Sequence, residues 1–294
     1  MLSGMFLLDP DKKYELKKLY FVKIPRIVAA YLFWAAFYAL IIIAYKSILG
    51  GDRRWYDLCR YFVQEMLRGH YHLWFLFMIA GLYVVTPILR QIVRDEKTTI
   101  YYLVLGFVFV YVVNMVSLFP PMRRLLAETL NRLDVKLVAG YPCYFILGYW
   151  FSRRTLSARA RKTLYIMGVL AAIFATVLNG FLAYHFNTPG DWLHENLLPH
   201  VVLMTSAVFV FCQYNLKGEH LSAKWKRWIG IAGKWSFGIY LVHAIFLDIL
   251  QTVLPQIFRC PLVSIPLTAV AVYFVSLAAV FILDKIPVLN KYIM

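Results

Sequence analysis

Apolar runs close to the ~20 residues that cross a bilayer as a helix recur along the whole chain. They fall at about 26–49, 72–92, 99–118, 136–152, 163–185, 197–214, 233–254 and 263–284. Hydrocarbon offers no water to a bare peptide group, so each run must satisfy its backbone internally, as a helix does. The runs are continuous rather than alternating, which excludes a transmembrane β-barrel. Composition agrees, with 62% of residues hydrophobic and only 16% charged, far from the balance of a soluble domain. The expected fold is all-α, a polytopic transmembrane helical bundle of about eight spanning helices forming one domain over residues 1–294. The fourth run, 136–152, is short and interrupted by Gly140 and Pro142.

Basic residues orient the bundle. One set of loops, beginning with Lys12, Lys13, Lys17, Lys18, Lys23 and Arg26, carries 21 Lys and Arg, and the opposite set carries 10. The richer side is cytoplasmic by the positive-inside bias, which places both termini inside. The net charge of +16 then follows from topology and anionic headgroups, and needs no nucleic acid. Asp9-Pro10-Asp11-Lys12-Lys13 reads as the start of a capped helix running to Lys23, with Asp9 as N-cap and Pro10 at the first helical position. The apolar stretch from Met1 to Leu8 before it is too short to span. It lacks the flanks of a signal peptide and reads as the last turns of a membrane helix.

The four cysteines have no metal-binding spacing. Cys143 and Cys212 fall within spans as small core residues. Cys59 and Cys260 map to the outer side, where pairing is one option.

The histidines carry more information. His70 and His72 stand where a polar loop meets the second span, in the run His70-Tyr71-His72-Leu73-Trp74-Phe75. One reading is an interfacial anchor, with Tyr71 and Trp74 in the aromatic belt. The other is a polar site, because imidazole inside a membrane faces a cavity or a partner. His185, His194, His200 and His243 map to the same side, and only His220 to the opposite one. A shared outward pocket and chance clustering both remain open at this point. In the seventh span Ser236, Tyr240 and His243 are spaced i, i+4, i+7 along one helix face. Ser236 and His243 are about 10 Å apart along the axis, too far for a Ser-His nucleophile pair. Asp248 lies on a different face from His243. No phosphate-cradling loop, zinc motif or dinucleotide fingerprint is present.

Taken in order, several segments resemble the acyltransferase family 3 of integral membrane proteins, in its branch that O-acylates surface polysaccharides. They are Leu2-Ser3-Gly4, Lys23-Ile24-Pro25-Arg26-Ile27, the His70 to Phe75 run, and Tyr83 with Pro87. Tyr144-Phe145-Ile146-Leu147-Gly148-Tyr149 and Ser236-Phe237-Gly238-Ile239-Tyr240-Leu241-Val242-His243 follow. The resemblance implies transfer of an acyl group, commonly acetyl, from cytosolic acyl-CoA to a hydroxyl of an extracytoplasmic or lipid-linked glycan. It implies a bacterial inner membrane location, acyl-CoA as co-substrate and no metal. The family's presumed catalytic histidine, with an arginine, belongs to a first membrane helix that would precede Met1, so the chain is expected to be amino-terminally incomplete relative to the family. On this resemblance His72, His243 and His70 are the candidates for the chemistry. Trp74, Tyr83, Ser236, Tyr240 and His200 would line the acceptor site, and Lys23 and Arg26 would hold the coenzyme's phosphates. The rival class is a non-enzymatic glycan or lipid translocator or an inactive relative.

Overall fold

The computed structural model describes residues 1–11, 16–48, 55–118, 122, 128–132, 134–135, 140–186, 193–216, 221–254 and 261–286. Outside them lie Cys260, His220, the first residues of the fourth apolar run, and the basic residues Lys12, Lys13, Arg53, Arg54, Arg123, Arg124, Lys136, Lys217, Arg259 and Lys291. Regular structure among the described residues is entirely helical.

The principal helices are α1 (Leu2–Leu7), α2 (Ile24–Ile48), α3 (Trp55–Arg68), α4 (Trp74–Ile92), α5 (Glu96–Gly106), α6 (Tyr141–Arg153), α7 (Ala158–His185), α8 (Pro199–Asn215), α9 (Ala223–Val253) and α10 (Pro261–Leu283). A π-helical turn, Leu19–Lys23, leads into α2, and a second, Phe107–Val112, extends α5. Six stretches among the described residues are long and apolar enough to cross a membrane. The other two expected spans are helices at the expected places but shorter, 13 residues in α6 and 17 in α8. The protein is therefore an all-α, multi-pass membrane bundle.

Its surface is that of a membrane protein. On α10 the buried positions Ser264, Thr268, Val272, Ser276 and Val280 recur every fourth residue, while Val263, Ile265, Leu267 and Phe274 are exposed. On α7 Gly168 and Ala171 are buried and Ile173, Phe174 and Val177 are exposed. Small and polar groups face inward because lipid is as apolar as leucine, so helices associate by close packing and hydrogen bonds.

The chain divides into two compact units. The first comprises Met1–Glu15 and Val84–Leu221. Here α1 crosses α6 backbone to backbone. A Cβ on Gly4 would stand 1.9 Å from the Phe145 carbonyl oxygen, and one on Gly148 would stand 2.1 Å from that of Met1. Only glycine fits at either position. Asp9 follows α1, buried and paired with Arg153, which also reaches Asp11 at 3.2 Å. Residues 12–15, which would carry the expected capped helix onward from Pro10, lie outside the described residues. Pro10 and Asp11 form a turn, and the Asp9 carboxylate accepts from the Asp11 amide at 3.2 Å and from Arg153. The bond from the Asp11 amide is the one an N-cap at Asp9 makes, and Arg153 shares the same oxygen.

The second unit comprises Leu16–Tyr83 and Ser222–Met294. Its core joins α2, the start of α4, α9 and α10 through Ala30, Trp34, Leu73, Leu76, Leu241 and Val280. Residues 55–68, read above as part of an outer loop, form the helix α3. Its apolar residues recur at helical spacing, and it leads the Trp55–Ile92 stretch that is long and apolar enough to span. Cys59 is exposed on it. Cys143 is buried as expected, whereas Cys212 is exposed on α8 rather than packed in the core.

Candidate functional site

The site grows from the turn between α3 and α4. Gly69 ends α3 with φ of +69°, a conformation glycine adopts at no steric cost, and a Cβ there would stand 2.8 Å from the Tyr31 hydroxyl. That hydroxyl donates to the carbonyls of Met66 and Leu67 at 3.2 Å each, which fixes the end of α3 to α2. His70 is extended, Tyr71–Leu73 form a 3-10 turn, and α4 begins at Trp74. Leu73 and Leu76 are fully buried. Their burial seats the turn against α9 and carries both histidine rings inward with it.

Three histidines meet there. His70 Nδ1 and His72 Nδ1 are 3.0 Å apart. The ring centroids of His72 and His243 are 5.2 Å apart, and those of His72 and Tyr240 are 5.4 Å apart. The Tyr240 hydroxyl donates to the His72 carbonyl, tying the turn to α9. His243 Nδ1 donates to the Tyr240 carbonyl at 2.6 Å, because a carbonyl can only accept. His70 Nε2 faces the Asp248 carboxylate at 3.2 Å. Tyr38 from α2 stacks on His70 with centroids 4.3 Å apart, and its hydroxyl donates to the Leu241 carbonyl at 2.8 Å.

His72 is the buried member, only 6% exposed, and its Nε2 has no hydrogen-bonding partner. A buried polar atom left bare costs about 1–3 kcal/mol unless something else fills it. An imidazole nitrogen left bare in this way is able to accept a proton from a hydroxyl brought within hydrogen-bonding reach.

The other expected residues divide clearly. Tyr240 joins the cluster. Trp74 is exposed and packs edge-on to Phe75, in keeping with an anchoring role. Ser236 is exposed and bonds back to the Gly233 carbonyl at 2.9 Å, so the structure does not bring it to Tyr240 and His243. Lys23, at the end of the first π-turn, lies over the Tyr83 ring at 6.0 Å, and Arg26 is exposed one turn later. Both belong to the same unit as the histidines.

His200 belongs to the other unit. Its Nε2 donates to the Leu193 carbonyl at 3.0 Å, in a loop also held by Asn114 on Leu197 and Tyr144 on Asn196. His185 stacks on Phe181.

Sequence reasoning missed two members of the cluster. Asp248 is the only acidic residue of the 31-residue α9, and an isolated acid in an apolar span needs a partner, a signal that was available. Tyr38 gave none, since its aromatic run Phe33, Trp34, Phe37 and Tyr38 looks like ordinary packing.

A family model described as "Acyltransferase domain" matches residues 1–285. No curated protein and no solved structure matches the chain.

Proposed function

We propose a function that proceeds from the family: this chain belongs to the membrane acyltransferases of that description, and its histidine cluster is where the acceptor hydroxyl gives up its proton. The observation that carries this reading is the buried, unpartnered Nε2 of His72 beside His243.

The donor in this reading is acyl-CoA, with acetyl the expected group, and the acceptor is a hydroxyl of a cell-surface or lipid-linked glycan. His72 Nε2 takes the hydroxyl proton while the oxygen attacks the thioester carbonyl carbon. The C–S bond breaks, the thiolate recovers the proton, and the products are an O-acyl ester and free coenzyme thiol. The histidines handle protons rather than forming a covalent intermediate.

Lys23 and Arg26 supply the phosphate-binding end. Tyr83, which Lys23 covers, lies eleven residues beyond His72, about 16 Å at the helical rise of 1.5 Å per residue. A coenzyme with its phosphates at Lys23 and Arg26 thus has its long pantetheine arm to reach towards the histidines. In this reading Lys23 and Arg26 face the cytoplasm, as do both termini, and the cluster faces the outer side of a bacterial inner membrane; the basic-residue asymmetry supports that orientation. Cytosolic donor and external acceptor then enter from opposite faces.

The test incubates membranes holding the protein with acetyl-labelled acetyl-CoA and extracts the envelope glycan. Label on the glycan that falls at least about 10-fold in His243→Ala, at equal membrane insertion, is expected for a group that assists proton transfer. Transfer unchanged in that variant removes His243 from the site. Absence of any label above protein-free membranes overturns the reading.

A further inference from the structure

We propose that Asp248, acting through His70, sets the protonation pattern of His72 and receives the charge that His72 takes up. The inference rests on the acyl-transfer reading above for its purpose, but its geometry stands independently of that reading.

The protons follow from the donors and acceptors. A carboxylate can only accept, so at 3.2 Å from Asp248 the His70 Nε2 carries a hydrogen. Neutral His70 then presents a lone pair at Nδ1. The 3.0 Å contact between the two Nδ1 atoms needs one hydrogen, which His72 must supply. Neutral His72 is left with a lone pair at Nε2, the atom without a partner. The opposite tautomer would bring two Nδ1 lone pairs together at 3.0 Å with no hydrogen between them. Asp248 therefore determines, two rings away, that His72 is a proton acceptor.

The same chain carries charge. When His72 Nε2 accepts a hydroxyl proton, the Nδ1 hydrogen can pass to His70 Nδ1. The positive charge then sits on His70 beside the carboxylate, and His72 is neutral with its hydrogen on Nε2; as that hydrogen goes to the leaving thiolate, His70 returns the other one to His72 Nδ1 and both rings regain their starting forms. His72 is buried whereas the Asp248 side chain is 46% exposed, so the charge moves from an enclosed atom towards an open one. Stacking of Tyr38 on His70 and the bond from Tyr240 to the His72 carbonyl hold both ring planes in place. Asp248 is thus a positioning residue, of the kind whose loss costs about 10–100-fold in activity.

Two readouts test this. Nitrogen NMR on histidine-labelled protein in detergent or lipid distinguishes a bare ring nitrogen from a protonated one, with His70→Asn and His72→Asn assigning the signals. The wild type should show His72 protonated at Nδ1 and bare at Nε2, and Asp248→Asn should disturb this pattern. In the labelled acetyl-CoA assay Asp248→Asn should lower kcat about 10–100-fold with little change in KM, and Asp248→Glu should recover part of it. The pH profile of the rate should shift in Asp248→Asn. The other groups facing the two rings, namely Tyr38, Glu65, Tyr71, Tyr240, His243 and the Leu241 carbonyl, remain in that variant. A bare Nδ1 on His72 in the wild type overturns the inference, as does an Asp248→Asn variant with unaltered spectra and rate. The expected tautomer without any transfer in the wild type upholds the inference and overturns the acyl-transfer reading instead.

Discussion

His72 and His200 are both buried imidazoles in an apolar bundle, 6% and 5% exposed, and each has one ring nitrogen without a hydrogen-bonding partner. They differ in what holds the other nitrogen. His200 is bonded to a backbone carbonyl of the 193–198 loop, which Asn114 and Tyr144 also pin by its carbonyls. His72 is bonded to a second imidazole that leads to a half-exposed carboxylate. A proton arriving at His200 has nowhere to send its charge, whereas one arriving at His72 does. Burial and an unpartnered nitrogen are common to both, so in the proposed reading it is the next partner along that separates them.

The largest expected effect is on the wall of the cluster. Tyr38→Ala removes the ring stacked on His70 and should cost about 3–5 kcal/mol in detergent unfolding, the usual range for a buried aromatic truncation. Tyr38→Phe keeps the ring and should lose only about 1 kcal/mol, the worth of one hydroxyl bond. Equal losses in the two variants would mean that the ring does not hold His70.

In the first unit Gly148→Ala must push the Met1 carbonyl away, at about 1–3 kcal/mol for overpacking. Limited proteolysis should then cut near α1, and a variant as resistant as wild type would break the account of the helix crossing. Tyr144→Phe comes next, at about 1 kcal/mol, read as faster hydrogen exchange in the 193–198 loop.

The smallest effect concerns Lys234 and Asp284, which join α9 to α10 at 2.7 Å. The lysine's hydrogen bond holds the Asp284 carboxyl below its ordinary value of 3.8. A lowered folded-state value means that the stabilisation is complete above 3.8 and disappears as pH falls through the folded value. The lysine side chain is more than half exposed, so the pair is worth under about 1 kcal/mol. Asp284→Asn should therefore melt slightly lower than wild type at pH 7, and the gap should close in acid. A gap that widens in acid would reverse the assignment.

The membrane class and the positions of the apolar helices were legible because hydrocarbon forces ~20-residue apolar runs into helices. Tyr240, His243, His70 and His72 were legible as expensive polar groups in costly places. The helix α3 was not, because its polar face masks the run. Nor was the pairing of Asp248 with His70, because those residues are 178 positions apart and only the fold brings them together. Ser236 shows the converse. Its spacing put it on a face with Tyr240, but a serine in a helix has its own carbonyls within reach and needs no other partner.

The central claim is that His72 handles the acceptor's proton. The most direct measurement is the initial rate of label transfer from acetyl-CoA to envelope glycan, in membranes with equal amounts of folded wild-type, His72→Gln and His200→Gln protein. The account predicts a loss of about 100-fold or more for His72→Gln, the scale of general acid–base assistance. For His200→Gln it predicts a rate per folded molecule within a few-fold of wild type. Transfer by His72→Gln at the wild-type rate would contradict it.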